Sequence, residues 1–307
     1  MRISAFSKYC FLFGLLLLGI CMTVASSGDQ PQLPRSSGIV PVSHGQWVYY
    51  ESVGEGEPVL FVHGHTLDSR MWQPQVEAFK DHYRVICMDC RGYGRASRQV
   101  EGIQFTHVDD VVTLLDSLHL DRVHIVGLSQ GSFIASEMVA LHPDRLLTAL
   151  LASGNIRKRK GPATPIDSAE FADRNREIET VRVQGVENWK REWIEKLISG
   201  GGSNAESIRP SLTQQVMDWD GWQLLHHEMR LYYGYEAWDS LKARCPQLPV
   251  LIVSGEMEHK GKNPMLPYLP KGRQVIIPDC GHMTNMERPA EFNRLLSELL
   301  ESARTSY

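Results

Sequence analysis

Hydrophobic residues follow two alternating textures along this chain. Short, mainly apolar runs occupy Pro58 to His63, which is continuous, Tyr83 to Asp89, Val123 to Val126, Leu146 to Ala152, Leu248 to Ser254 and Gln274 to Pro278. Their length and their β-branched content predict strands buried on both faces. Gly45 to Val53 alternates apolar and polar residues and predicts a half-exposed strand, closed by the turn Gly54-Glu55-Gly56-Glu57. Between the runs, apolar residues recur at helical spacing in Gln73 to Phe79, Phe105 to Leu118, Gly131 to His142 and Ala290 to Glu301. Strand and helix in alternation predict an α/β fold: a mostly parallel central sheet flanked by helices.

The alternation breaks after Asn155. Arg157-Lys158-Arg159-Lys160 forms a basic run, read as a solvated loop. Polar helical stretches follow at Ser168 to Val183, Val186 to Ile198, Ser211 to Met217 and Gly221 to Tyr233, with a Gly200-Gly201-Gly202 break. This texture predicts a helical cap inserted in the sheet domain. Its tryptophans Trp189, Trp193, Trp219, Trp222 and Trp238 suit either a pocket lining or plain core. The expected organisation is a signal over 1–26, a flexible leader over 27–41, core over 42–155, cap over 156–243 and core again over 244–307.

Composition changes this picture only at the ends. The chain has 307 residues with a formal net charge of −4, which argues against nucleic acid as a main partner. Arg2 and Lys8 precede the apolar stretch Phe11 to Ile20, and small residues Thr23 to Ser27 follow, the pattern of an export signal. A periplasmic or secreted protein is expected. Contact with a membrane is expected only through an uncleaved signal or a lipid on Cys21, and bulky Ile20 fits a lipoprotein cleavage site poorly. Export permits disulfides among Cys87, Cys90, Cys245 and Cys280. Cys87 and Cys90 lie on one strand, however, where three extended residues separate Cα atoms by roughly 10 Å, beyond bridging reach. They read as buried thiols. Oligomeric state and the pairing of the other cysteines stay open.

The richest stretch for chemistry is Gly127-Leu128-Ser129-Gln130-Gly131, between a predicted strand and a predicted helix. Such spacing holds a serine on a sharp turn, with glycines where a side chain would strike the neighbouring strand or helix. The serine Oγ then stands at a helix N-terminus, where free N–H groups favour negative charge. His63-Gly64-His65 closes the strand Pro58 to His63, Asp89-Cys90-Arg91-Gly92-Tyr93-Gly94 closes the strand Tyr83 to Asp89, and Gly281-His282-Met283 follows the last strand, with Glu287-Arg288-Pro289 beyond. Over residues 42 to 304 these motifs, in this order, resemble the α/β-hydrolase fold family, in its capped serine hydrolase form.

That resemblance implies a nucleophile, acid and base in the chain order serine, acid, histidine. Ser129 is the expected nucleophile and His282 the base, chosen over eleven other histidines because it follows the final strand. His124 within a strand, and His226 and His227 in the cap, read as structural. For the acid, Val250-Leu251-Ile252-Val253-Ser254-Gly255-Glu256-Met257 leads to Glu258, where much of the family has Asp. Either carboxylate can accept the Nδ1–H of the histidine. Ser153-Gly154-Asn155, the alternative acid position, holds no carboxylate, Asp279 reads as part of the turn before His282, and Glu256 is expected to point away. The backbone N–H groups of His65 and Gln130 are the expected oxyanion hole. His63 and His65 also suit a zinc site, but Leu67 and Asp68 stand where an Asp-His pair would continue it, so neither a metal nor a cofactor is expected.

The expected activity is hydrolysis of a small-molecule acyl substrate: a carboxylic ester, thioester, lactone or amide. Carbon–carbon bond hydrolysis and perhydrolysis use the same residues, and a non-catalytic binding protein is the alternative from another class. Dehalogenases and epoxide hydrolases carry Asp at the elbow, so Ser129 disfavours them.

Overall fold

The computed structural model describes residues 33–157, 168–259 and 261–304. The expected signal, the first part of the leader and Lys158 to Lys160 of the basic run lie outside the described residues. One eight-stranded sheet organises the rest, with strands β1 (Arg35–Pro41), β2 (Trp47–Val53), β3 (Pro58–Val62), β4 (Arg84–Asp89), β5 (Val123–Leu128), β6 (Leu146–Ala152), β7 (Val250–Gly255) and β8 (Gly272–Ile277). Their spatial order is β1-β2-β4-β3-β5-β6-β7-β8. The two edge pairings, β1 with β2 and β2 with β4, are antiparallel, and every other pairing is parallel.

Alternate residues of the central strands feed opposite cores. On one side Leu60, Val62, Ile125, Ala149 and Leu151 pack with helices α2 (His107–Ser117) and α3 (Gln130–Leu141). On the other, Val59, Phe61, Val126, Leu150 and Ala152 meet α1 (Gln73–Phe79) and the closing helix (Pro289–Arg304). The closing helix buries Phe292, Leu295, Leu296, Leu299, Leu300 and Ala303, the three-and-four spacing of one helical face. Burial on both faces explains why the central strands read as mainly apolar runs without alternation.

Strand β1 corrects the expected leader, because residues 35–41 pair in register with Trp47–Val53. Its pattern is weak for a physical reason: as an edge strand it buries only Val40, so no apolar period marks it.

Between β6 and β7 the chain is helical: α4 (Ser168–Gln184), α5 (Val186–Ser199), α6 (Ala205–Asp218), α7 (Trp222–Leu225) and α8 (Tyr235–Arg244). The long helix expected over Gly221 to Tyr233 is a single turn followed by an extended strap. Leu231 N–H donates to Phe105 O at 2.7 Å and Phe105 N–H to Met229 O at 3.4 Å. This backbone pairing overrides the helical period of the strap. Helix α6 starts six residues earlier than expected and carries Pro210 inside it. After β8 come α9 (Thr284–Glu287) and the closing helix, α10. Among the described residues no helix is long and apolar enough to cross a membrane. Cys87, Cys90, Cys245 and Cys280 are free thiols, all but Cys245 buried.

Candidate active site

Ser129 joins β5 to α3 with φ 55° and ψ −110°, a left-handed conformation that costs a side-chain-bearing residue about 1–3 kcal/mol. Its neighbours hold it there. Ser129 N–H donates to Ala152 O at 2.8 Å and Phe133 N–H to Ser129 O at 3.0 Å. A Cβ at Gly127 would lie 2.1 Å from Gly131 O, and one at Gly131 only 1.9 Å from Val62 O. Both glycines are therefore obligatory for the approach of α3 to β3 and β5. Ser129 is half-buried, and its Oγ has no hydrogen bond among the described residues.

The backbone N–H of Gln130, first in α3, has no acceptor among the described residues, and neither does that of His65. These are the two expected oxyanion donors. Gly64 brings the His65 loop close: a Cβ there would touch Leu128 and lie 3.6 Å from Ser129 Cβ. Side chains brace both donors. His65 Nδ1 lies 2.7 Å from the Tyr93 hydroxyl, which donates to Gln130 Oε1 at 3.1 Å. Trp219 stacks on Tyr93 and meets His65 edge-on, and Trp193 Nε1 donates to Thr66 Oγ1 at 3.1 Å. Burial, aided by the nearby charge of Arg230, pushes the His65 imidazole down to about 4, so it is neutral at physiological pH.

His282 and Glu258 meet where β8 and β7 end, with His282 Nδ1 and Glu258 Oε2 2.6 Å apart. Burial raises the Glu258 carboxyl, but the hydrogen bond and charge of His282, with help from Ser153 and the Gly255 N–H, hold it below the usual carboxylate range. Ser153 links this pair to the serine. It follows Ala152, the acceptor for Ser129 N–H, and its Oγ donates to His282 O at 3.0 Å. Ser129 Oγ and His282 Nε2 share no direct hydrogen bond. Catalytic hydrogen bonds are commonly loose without substrate and tighten when it binds.

The competing residues sit elsewhere. Asp279 takes Ser203 N–H at 2.8 Å and pairs with Arg288, while Glu256 accepts Asp279 N–H at 2.9 Å. His63 is saturated by backbone: its Nδ1 lies 2.7 Å from Gly64 O, and Cys90 N–H donates to its Nε2 at 3.0 Å. Neither nitrogen has a lone pair left for a metal.

Glu287 belongs to a motif that the sequence gives no role, yet it clamps the histidine turn. Its fully buried carboxylate accepts N–H groups from Gly202 (2.9 Å), Gly281 (3.0 Å) and Met283 (3.3 Å), the last two flanking His282. Glu287→Ala would orphan all three donors, so urea unfolding is expected to show a loss of about 3 kcal/mol, together with a drop in kcat/KM. Stability within about 0.5 kcal/mol of wild type would contradict this role.

A cavity of about 830 Å³ opens beside His65, walled by Trp189, Gln223, Arg157, Arg230 and Tyr232. The tryptophans thus divide. Trp189, Trp193 and Trp219 gather around His65, whereas Trp238 is buried in the core beside α3.

The sequence profile of the α/β hydrolase fold matches residues 57–289. The chain belongs to that family. Within it, this α/β hydrolase is similar to the (E)-2-((N-methylformamido)methylene)succinate hydrolase of Acinetobacter baylyi, at 25% identity over 87% of this chain and 98% of the relative. Among solved structures it resembles a thermophilic esterase from Thermogutta terrifontis (TM-score 0.63, 26% identity, 88% of this chain and 99% of the other). It is also similar to Est816, described as an N-acyl homoserine lactone degrading enzyme (TM-score 0.59, 26% identity, 85% and 99%).

Proposed function

We propose that this α/β hydrolase is an exported serine hydrolase that cleaves a small or medium acyl substrate, an ester, thioester or lactone, under a helical cap formed by the segment between β6 and β7. Ser129 Oγ attacks the acyl carbon as His282 Nε2 takes its proton, and the carbonyl oxygen becomes an oxyanion between the His65 and Gln130 N–H groups. Collapse of this intermediate breaks the bond to the leaving group, which takes the proton from His282 and departs. Water, activated by the same imidazole, then releases the acid and restores Ser129. Glu258 keeps the Nδ1–H of His282 in place and stabilises the imidazolium formed in each half-reaction.

The observation that carries this reading is the 2.6 Å contact of His282 with Glu258, on the sheet edge where Ser129 sits on its strained turn. The relatives support it, since an esterase and a lactone-degrading enzyme share the architecture. The test is hydrolysis of a ladder of nitrophenyl esters and lactones, in which turnover of at least one series is expected. Turnover of none, by protein that binds members of the ladder, would favour a ligand-binding role instead. Export has its own test: protein recovered from its native compartment should begin near Ser26 or Ser27, and an intact Met1 there would refute cleavage.

A further inference from the structure

Three guanidinium groups line the cavity, and two of them, those of Arg157 and Arg230, lie beside α3, where the proposed chemistry uses neither. Arg230 lies on the extended strap with its side chain 13% exposed; one of its Nη atoms bonds Gln130 Oε1, and the other pairs with Glu228 at 3.2 Å. Arg157, a solvent-exposed residue shortly after β6, lies 4.4 Å over the Phe133 ring of α3 and 5.0 Å over the Tyr232 ring, while Arg230 lies 5.1 Å from that same ring. The two cations therefore flank one tyrosine, a few residues from the oxyanion donors. No carboxylate pairs with Arg157 among the described residues. Nearby hydrogen-bonding atoms also lack partners among the described residues: Arg230 Nε, Gln130 Nε2 and the Tyr232 hydroxyl are buried with none there.

The opposing charges do not cancel this pair. Glu228 is held from behind by Gln99 Nε2 at 2.6 Å and offsets one positive charge. Burial pushes the carboxyl of Glu137, under the strap, up to about 7, even though it accepts Gly234 N–H at 3.2 Å, so it is only partly charged at neutral pH. The other carboxylates of the cavity, Glu170, Asp173, Glu177 and Glu192, are exposed residues of α4 and α5. These carboxylates thus lie along α4 and α5, while Arg157 and Arg230 flank Tyr232 beside α3.

We propose that the substrate carries a carboxylate on its acyl portion, bound between Arg157 and Arg230 while the acyl carbon lies over Ser129. This inference rests on Ser129 being the nucleophile and narrows the substrate to acidic esters or lactones, such as half-esters of short dicarboxylic acids. Two charge-assisted contacts in a half-buried site, each worth more than a neutral hydrogen bond, would fix the orientation of such a substrate.

The test is protection of Ser129 from a neutral fluorophosphonate by the dicarboxylates malonate, glutarate and adipate, each compared with its uncharged diamide. At least one dicarboxylate should protect with an affinity on the order of tenfold above its diamide. Arg157→Gln and Arg230→Gln should each remove most of that difference, Arg157→Lys should keep part of it, and high salt should shrink it. Labelling in the absence of protectant, together with circular dichroism, shows whether a variant is folded and reactive. Equal protection by diacids and diamides, protection by neither, or a preference that survives in both glutamine variants would overturn the carboxylate site and leave Ser129 standing. Labelling that misses Ser129 would overturn both readings.

Discussion

Replacing Ser129 with alanine is expected to lower kcat/KM by about 10⁴-fold or more while leaving the fold intact. The size follows from what is lost. The covalent route closes, and only binding and the two oxyanion donors remain to help water attack. Alanine also relieves nothing in the turn, because its Cβ needs the same left-handed backbone that Ser129 adopts at φ 55°. Unfolding midpoints of the two proteins should therefore nearly coincide, and KM for a hydrolysed ester should change little. A variant that keeps more than about a tenth of wild-type activity would remove Ser129 from the mechanism.

Glu258→Gln is expected to cost about 10²-fold or more in kcat/KM, less than His282→Ala, which should be inactive. Glutamine fits the same space and can still accept the Nδ1–H, so the loss measures the missing charge opposite an imidazolium. It can also present its NH₂ to the ring and favour the wrong tautomer. Ionised Glu258 further stabilises the fold. Its carboxyl titrates below the usual value when folded, so this stabilisation is complete above the ordinary glutamate range and is lost as pH falls through the lowered value. The thermal midpoint of Glu258→Gln should accordingly fall less than that of wild type on acidification through this window. Wild-type kcat/KM in Glu258→Gln, with His282→Ala dead, would assign the acid to another residue.

The parts of this protein that sequence reveals are those where local chemistry and global fold agree. Strands β3 to β7 are buried on both faces and so carry an unmistakable apolar signal. The serine turn is equally legible, since only glycine survives at positions 127 and 131, where a Cβ would meet backbone oxygen within 2.1 Å. Chain order, once the family resemblance is seen, singles out Glu258 and His282, whose side chains the fold brings to 2.6 Å.

What stays hidden depends on contacts between distant segments. Edge strand β1 exposes most of its side chains, so nothing in its composition separates it from a linker. The strap carrying Arg230 has helical spacing and becomes extended only because Phe105, more than a hundred residues away, offers it backbone hydrogen bonds. Misplacing the strap hides Arg230 and Tyr232 with it. Tyr93 and Glu287 lie inside noted motifs, yet the bonds that give them roles, to His65 and Gln130 and to the turn around His282, exist only in three dimensions. Ser153 shows the same limit. Its sequence context marks only a place lacking a carboxylate, and the fold sets its hydroxyl on the carbonyl of His282.

The central claim, that Ser129 is a nucleophile activated by His282, is tested most directly by peptide mapping after reaction with a fluorophosphonate. The expected result is one adduct per chain, on the peptide holding Ser129, formed on the order of 10³-fold more slowly in His282→Ala. An adduct on any other residue, or labelling of Ser129 at an undiminished rate without His282, would contradict it.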